Sequence, residues 1–326
     1  MGLSRTPTKH EGDITMSEMV ALNHEKVNLK DISHKDKAWD KHKKKADIVS
    51  KLYFIYSDNP RDDRRAEKIR DCAGFLRFGR DDTGTLNLIE ARFCHKRACP
   101  VCQWRRSLMM KAKFYLNLPD ILLKYPNARF IFLTLTVKNC ELKDLRTTIQ
   151  KMNKNFTYLM KQEYFKKVVI GYVKNVEVTK SENGTAHPHF HVLLAVIPSY
   201  FSGEYYKSQI KWRELWKEQM KLDYLPQVDV RIPKANDDTH NYIQELLKYP
   251  VKESDIDVRS KWFISYCEQV HHLRFISTGG IFKGIIKEVP VSDDELINTN
   301  PDEGKKAIEI MDFVWNRIDK HYQRKF

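Results

Sequence analysis

Two consecutive stretches, residues 168–180 and 189–197, are rich in apolar and β-branched side chains, which predicts two strands. Residues 175–178 and 189–192 within them alternate between polar and apolar side chains. In the second stretch, His189 and His191 point to one side of the strand, and Phe190 between them points to the other. An Asn-Gly pair separates the stretches and is typical of a hairpin turn. The sequence therefore predicts an antiparallel hairpin with two imidazoles on its polar face.

The register of this hairpin decides what lies opposite His189. A hairpin centred near Asn183 pairs Glu177 with His189, which requires an odd-numbered loop or a bulge. The matching polar faces favour that register, because a slip of one residue would turn Glu177 to the other face. A carboxylate beside two imidazoles can hold a divalent metal and leave positions open for water or phosphate. We therefore predict a catalytic metal site at Glu177, His189 and His191. His187 extends the row, but Pro188 marks the strand's start, which makes His187 the weaker candidate.

The surrounding elements predict an α+β fold with a central, mostly antiparallel sheet and helices, preceded by a Cys-rich segment. The apolar patterns favour helices over 39–56, 60–70, 142–163, 207–222, 240–249 and 305–320, and further strands over 74–79, 86–93, 129–138 and 227–232.

Basic residues outnumber acidic ones by 57 to 43, which gives a formal net charge of +14. This balance suits a polyanion, most simply nucleic acid, although a lysine-rich solvated surface is the ordinary alternative. One basic cluster is interleaved with Trp104, Phe114 and Tyr115, and rings among cations suit base stacking with phosphate neutralisation. From this cluster we predict four DNA-binding residues: Lys96, Arg97, Arg105 and Arg106.

Three cysteines, Cys94, Cys99 and Cys102, have the spacing C-x4-C-x2-C. Tetrahedral zinc needs four ligands, and Cys72 at the start of the preceding hairpin is the predicted fourth, with His95 as its competitor. A disulfide is disfavoured because the chain shows no export signal and the cytosol is reducing, and unligated buried thiols are the remaining alternative. We predict structural Zn²⁺ that braces the basic helix from about residue 103.

A short helix that Pro250 ends carries Glu245 and Tyr249, which are four residues apart and share a face. A phenol can attack a phosphodiester whose phosphate is polarised by a metal, and a nearby carboxylate can activate water afterwards. Taken by itself, however, this stretch is better explained as an ordinary amphipathic helix, since the chain has 15 tyrosines.

Three motifs in order resemble the rolling-circle plasmid replication initiators of the HUH endonuclease superfamily. They are FLTLT at residues 132–136, the sequence His189-Phe190-His191, and the segment from Glu245 to Tyr249. The cysteine segment CHKRACPVCQWRR, residues 94–106, resembles the branch with one catalytic tyrosine and a partner glutamate. The resemblance covers residues 70 to 255.

The resemblance implies an HUH endonuclease-like domain with Mg²⁺ or Mn²⁺ on His189, His191 and Glu177. It implies Tyr249 as the nucleophile and Glu245 as the terminating carboxylate. Lys248, next to that tyrosine, is predicted to bind DNA. Tyr242 is seven residues from Tyr249, which does not fit relatives with two tyrosines one helical turn apart.

The implied activity is nicking of one strand at a plasmid's double-strand origin, recognised as duplex and cleaved as single strand, through a 5′-phosphotyrosine. Host helicase and polymerase are the implied partners, and the bacterial cytoplasm is the expected location. No apolar run approaches the roughly 20 residues that a membrane-spanning helix needs, so we expect no membrane partner.

We divide the chain into four predicted segments. Residues 1–70 form a basic arm and helices, and 71–125 form the zinc-binding segment with its basic helix. Residues 126–255 form the nicking domain, and 256–326 form an extension that is a candidate for origin binding.

Three other functions stay open at this point. A zinc-dependent DNA-binding regulator without catalysis would explain the charge and the cysteines but leave the histidine row unused. A related HUH transposase would share the chemistry and act on element ends. A metal hydrolase that uses bound water and three histidine ligands would leave no protein–DNA adduct.

Overall fold

The computed structural model describes residues 27–57, 59–233, 239–248, 256, 261–286, 291–299 and 307–326. The strands within these ranges are β1 Phe75–Arg80, β2 Leu86–Ala91, β3 Arg129–Thr136, β4 Val169–Lys180, β5 Ala186–Val196, β6 Val228–Arg231, β7 Ile276–Gly280, β8 Glu309–Asn316 and β9 His321–Lys325. The α-helices are α1 Leu29–Ile32, α2 Lys37–Tyr56, α3 Pro60–Asp71, α4 Pro100–Lys124, α5 Leu145–Lys161, α6 Glu163–Val168, α7 Gln209–Met220, α8 Thr239–Leu246, α9 Trp262–Gln269 and α10 Asp293–Ile297.

The described strands form two sheets, of order β6-β3-β5-β4-β7 and β2-β1-β8-β9. Within each sheet, every pair of neighbouring strands is antiparallel. This arrangement with its helices confirms the predicted α+β fold class. The helix predicted over 305–320 is wrong, because strand β8 occupies residues 309–316 in the middle of that stretch. Its inward residues Met311, Phe313 and Trp315 alternate with outward ones, which is the period of a strand and not of a helix.

The hairpin β4–β5 has the predicted register. Glu177 pairs with His189 and Asn175 pairs with His191. The last pair is Lys180 with Ala186, so the loop is the odd-numbered segment 181–185. The loop includes Gly184 at a φ of +83°, a backbone conformation that glycine adopts without steric cost.

The five-stranded sheet is covered on both faces. On one face, Phe190 is fully buried, and its ring centroid lies 6.1 Å from that of Phe156 on α5 and 6.3 Å from that of Trp216 on α7. On the other face, a separate apolar cluster joins the sheet to α4 and α8. It comprises sheet residues such as Phe132, Val173 and Leu193 and helix residues such as Met110, Phe114, Ile243 and Leu246.

The second sheet brings the end of the chain to the cysteine segment. Strand β8 pairs with β1, so the C-terminal hairpin β8–β9 extends the sheet that begins with the hairpin β1–β2. Strand β7 pairs with β4 of the histidine-bearing sheet.

The four-segment division of the chain stays a prediction. Among the described helices, none combines the length and apolar character that a membrane crossing requires.

Phe190→Ala should lower the free energy of unfolding by about 3–5 kcal/mol, because the buried ring would leave a cavity between the sheet and two helices. Chemical denaturation followed by circular dichroism measures this loss. Tyr158→Ala is the control, since Tyr158 on α5 is 50% exposed and surface changes are usually worth within about 0.5 kcal/mol. Equal losses in both variants would contradict this packing.

Candidate active site and cysteine cluster

Two imidazoles of one strand converge on a carboxylate oxygen of the neighbouring strand. Oε2 of Glu177 lies 3.2 Å from Nε2 of His189 and 2.8 Å from Nε2 of His191. All three side chains are buried, with exposed fractions of 3% for Glu177, 11% for His189 and 4% for His191. Potential ligand atoms of this Glu177/His189/His191 cluster lie within 4.8 Å of one another, so the cluster could hold a metal ion.

The ring atoms that face away from Glu177 also have oxygen neighbours. Nδ1 of His189 lies 3.3 Å from the carbonyl oxygen of His187. Nδ1 of His191 lies 3.5 Å from Oγ1 of Thr134 and 3.6 Å from Oε1 of Glu245. A metal-ligating imidazole usually donates its second ring N–H to a carbonyl, carboxylate or water. The surroundings therefore suit ligation through Nε2 of both histidines.

Electrostatics favour a charged carboxylate and a neutral imidazole. Burial raises the pKa of Glu177, but hydrogen bonds from His189, His191 and Lys248 outweigh it and hold that pKa well below its usual range. Burial lowers the pKa of His191, and Glu177 opposes this shift only in part. A carboxylate with a neutral imidazole is the protonation state that metal ligation requires.

Helix α8 holds Glu245 over the face of the sheet that carries the histidines. Oε1 of Glu245 lies 3.6 Å from Nδ1 of His191, and Oε2 of Glu245 lies 3.4 Å from Nη1 of Arg231 on β6. The helix end is anchored because Nδ2 of Asn175 donates to the carbonyl oxygen of Leu246 over 2.8 Å. The structure thus brings Glu245 to the cluster, as the sequence predicts.

Lys248 also reaches the cluster, which sequence reasoning did not foresee. Its Nζ lies 2.6 Å from Oε2 of Glu177, and its side chain is 38% exposed. Tyr249, the predicted nucleophile, lies outside the described residues. His187 stands apart from the cluster, since its Nδ1 lies 2.8 Å from Oδ1 of Asn139.

Sequence reasoning also missed Thr134, Asn175 and Arg231 as members of the site. Asn175 precedes Glu177 by two residues on the same polar face, so alternation alone could have added it. Thr134 pairs with His191, and Arg231 pairs with Phe132 of the same strand β3. Both reach the site through pairings between distant parts of the chain. Thr134 lies in the FLTLT motif, but no local pattern indicates that its side chain or that of Arg231 lies beside His191 or Glu245.

The four predicted cysteines meet at the start of α4. Sγ of Cys102 lies 3.5 Å from Sγ of Cys72 and 3.6 Å from Sγ of Cys94, and Cys99 joins the same group. Cys99 is the N-cap residue of α4, and Cys102 lies in its first turn, so the cluster lies at the positive end of the helix dipole. His95, the competing fourth ligand, instead has Nε2 at 2.6 Å from Oδ1 of Asp293. These four cysteines could therefore hold a metal ion.

A buried cation lies beside this Cys72/Cys94/Cys99/Cys102 cluster. Nζ of Lys43 on α2 donates to the carbonyl oxygens of Arg70 over 2.5 Å and Cys72 over 2.7 Å, and Lys43 has no exposed surface. Burial lowers the pKa of Lys43, while Asp47 and the thiols of Cys72 and Cys99 act against that shift. A positive charge here would partly offset the negative charge that four thiolates leave on a divalent ion.

The predicted DNA-binding arginines of α4 face inwards. Arg105 is 6% exposed and donates to the carbonyl oxygens of Leu296 and Ile297 over 2.7 and 2.8 Å. Arg106 is 7% exposed and donates to the carbonyl oxygen of His95 over 2.9 Å. This placement argues against DNA contact by either residue and assigns them to packing. Lys96 and Arg97 are half-buried, and the guanidinium of Arg97 lies 4.8 Å from the ring centroid of Phe275.

These observations define an α+β protein with two candidate metal centres, one in each half of the fold. The sequence profile of the family described as Replication protein matches residues 85–323. The chain belongs to this family of replication proteins, which confirms the resemblance drawn from the motifs.

Curated relatives support the same assignment over nearly the whole chain. A protein named Protein rep from Streptococcus pneumoniae serotype 2 is 35% identical over 311 residues, 92% of this chain and 96% of its own. Proteins of the same name from Lentilactobacillus hilgardii and Bacillus amyloliquefaciens are 34% and 35% identical, over 86% and 88% of this chain and 92% and 94% of theirs. No solved structure matches the chain.

Cys102→Ser should abolish tight metal binding at the cysteine cluster, because three thiolates and a hydroxyl cannot complete a closed four-thiolate site. Elemental analysis of the purified protein should find about one metal ion per chain in the wild type and little in this variant. Cys140→Ser is the matched control and should retain the metal, since Cys140 lies outside the cluster. Metal-free wild-type protein that is fully folded would contradict the site.

Proposed function

We propose that this replication protein initiates rolling-circle replication of a plasmid by nicking one strand of its origin. The nick is a transfer of the phosphodiester to Tyr249, which leaves a 5′-phosphotyrosine and a free 3′-OH that primes a host polymerase. The observation that carries the proposal is the convergence of Glu177, His189 and His191 beneath the helix that bears Glu245. The relatives named Protein rep supply the context of replication.

The donor set supports a divalent cation at the Glu177/His189/His191 cluster. Two imidazole nitrogens and one carboxylate oxygen suit a cation such as Mn²⁺ or Mg²⁺ and leave coordination positions for phosphate. When bound, the cation polarises the scissile phosphate and stabilises the charge that develops on it. The buried carboxylate and the two imidazoles already lie together before any substrate arrives, so the donor side chains are positioned for the cation.

Tyr249 is the proposed nucleophile because it follows Lys248 in sequence, and the ammonium of Lys248 contacts Glu177. In the nicking step, the phenolic oxygen of Tyr249 forms a bond to phosphorus, and the bond from phosphorus to the 3′ oxygen breaks. The phenol loses its proton and the departing 3′ oxygen gains one, so the step consumes no cofactor. The number of phosphodiester bonds is unchanged, which conserves the energy for rejoining.

Glu245 is the proposed general base of termination. Arg231 and His191 hold its carboxylate beside the cluster, at 3.4 and 3.6 Å. After one round of replication, the regenerated origin lies in this site, and Glu245 takes a proton from a water molecule whose oxygen forms a bond to the phosphorus of the origin. The bond from that phosphorus to the 3′ oxygen breaks, and the departing 3′ oxygen gains a proton. Hydrolysis in place of a second covalent exchange prevents indefinite reinitiation.

For the cysteine cluster we propose structural Zn²⁺, because four thiolates in a closed set are a typical zinc site. The ion would fix the start of α4, and α4 in turn contacts the end of α8. Ser107 on α4 donates to the carbonyl oxygen of Leu247, and Lys111 donates to Gln244. Zinc thus supports the segment that leads to Tyr249, without contacting substrate. Duplex origin DNA and a host helicase complete the proposed set of partners.

Tyr249→Phe should abolish the covalent adduct between the protein and a single-stranded origin oligonucleotide in Mn²⁺, because phenylalanine has no oxygen to attack phosphorus. A denaturing gel with labelled oligonucleotide measures the adduct. Tyr242→Phe is the matched control and should form the adduct normally, since the ring of Tyr242 packs against Phe132 at 5.5 Å and a phenyl ring fills the same space. Equal cleavage by the Tyr249→Phe variant would exclude the proposed nucleophile.

Glu245→Gln should still form the adduct but release DNA by hydrolysis about 10²- to 10⁴-fold more slowly, the range of a lost general base. The ratio of hydrolysed product to adduct, followed over time with an oligonucleotide that regenerates the origin, measures this defect. Glu182→Gln in the exposed hairpin loop is the control and should leave the ratio unchanged. Hydrolysis at the wild-type rate in the Glu245→Gln variant would show that another group activates water.

The adduct experiment also separates the alternatives. A DNA-binding regulator would bind the oligonucleotide without cleaving it, and a metal hydrolase with bound water would cleave it without an adduct. The family assignment favours replication over transposition.

A further inference from the structure

The ammonium of Lys248 shares one carboxylate oxygen with both imidazoles of the candidate active site. Oε2 of Glu177 has Nζ of Lys248 at 2.6 Å, Nε2 of His191 at 2.8 Å and Nε2 of His189 at 3.2 Å. To coordinate a metal ion, this carboxylate oxygen would have to lose the contact with one or more of these three donors. The three contacts therefore describe a site whose positive partner is a lysine.

We propose that Lys248 is a positioning residue that neutralises Glu177 until a divalent cation binds, and then turns its ammonium to the DNA phosphate. This inference rests on the proposed function, because it assigns an occupant to the same site. A lysine ammonium and a divalent cation cannot both pair closely with Glu177 without mutual repulsion. Binding of the cation must therefore displace Lys248.

The exposure of these side chains differs in the way this exchange requires. The side chain of Lys248 is 38% exposed, whereas Glu177 is 3% and His191 is 4% exposed. Lysine is a compact charge on a flexible four-carbon stem, so it can leave the cluster by rotation about its side-chain bonds. The buried donors stay in place while the cation partner changes.

The backbone before Lys248 is held on two sides, so the released ammonium stays near the site. Asn175 donates to the carbonyl oxygen of Leu246 over 2.8 Å, and Ser107 donates to that of Leu247. The nearby Arg231 is engaged by Asp229 at 2.6 Å and by Glu245 at 3.4 Å. Lys248 is therefore placed to meet a phosphate that approaches the bound cation.

The displacement of Lys248 by the cation couples cation binding to DNA binding. A DNA phosphate that binds the ammonium of Lys248 lowers the free-energy cost of displacing that ammonium from Glu177. DNA therefore strengthens cation binding, and the cation strengthens DNA binding by the same factor. Without Lys248, the cation binds Glu177 with no competitor, and this part of the coupling disappears.

The test is titration of Mn²⁺ into the full chain without DNA, with free Mn²⁺ measured by electron paramagnetic resonance. Lys248→Met should bind Mn²⁺ about three- to tenfold more tightly than the wild type, as expected for the loss of a competing, half-exposed ion pair. Lys248→Arg keeps the charge and should bind like the wild type. Lys211→Met should also bind like the wild type, since Lys211 on α7 forms an exposed ion pair with Glu214 and does not contact Glu177.

A second titration measures the coupling in the Tyr249→Phe background, which prevents covalent reaction. A single-stranded origin oligonucleotide should tighten Mn²⁺ binding clearly when Lys248 is present, and less when it is replaced by methionine. Unchanged or weaker Mn²⁺ binding by a folded Lys248→Met protein would overturn the inference. If wild-type binding is absent, or is unaffected by His191→Ala, the proposed metal site itself fails, and this result is distinguishable from failure of the lysine exchange alone.

Discussion

The strict alternation of side chains along β5 is the constraint on which the rest of the site depends. Phe190 must enter the core between the sheet and two helices, so His189 and His191 must face the opposite side. The pairing with β4 then sets Glu177 directly beside them. A slip of one residue would turn this carboxylate into the apolar layer without its partners, at a cost of several kcal/mol. The core packing of one face thus fixes the chemistry of the other.

The two candidate metal centres are connected through helix α4. The cysteine cluster holds the start of this helix, and Ser107 and Lys111 further along it hold the end of α8. Helix α8 carries Glu245 and leads to Lys248, so α4 links the cysteine cluster to the candidate active site. On the proposed mechanism, one cluster serves the chemistry and the other holds the helix that positions it. The inward-facing Arg105 serves the same end, since it ties α4 to α10.

The fold and the candidate site could be predicted from the sequence wherever a short-range period or residue spacing determines the local structure. Alternation predicted both strands of the central hairpin and the pairing of Glu177 with His189. Cysteine spacing predicted three thiols of the cluster, and the position of Cys72 at the start of the preceding hairpin predicted the fourth. Prediction from the sequence failed where contacts between distant parts of the chain determine the structure. The C-terminal stretch pairs with β1 as strand β8, which overrides the helix predicted there. The burial of Arg105 and Arg106 and the contact of Lys248 with Glu177 depend on tertiary packing that no local pattern encodes.

The central claim is that Glu177, His189 and His191 together bind the divalent cation that activates the scissile phosphate. Anomalous diffraction from crystals soaked in Mn²⁺ tests it most directly, because the manganese signal locates the ion without reference to activity. We expect a peak on the order of 2 Å from Nε2 of both histidines and from a carboxylate oxygen of Glu177. A well-ordered cluster with no peak, or a peak bound by other residues, would show that these three side chains do not hold the cation.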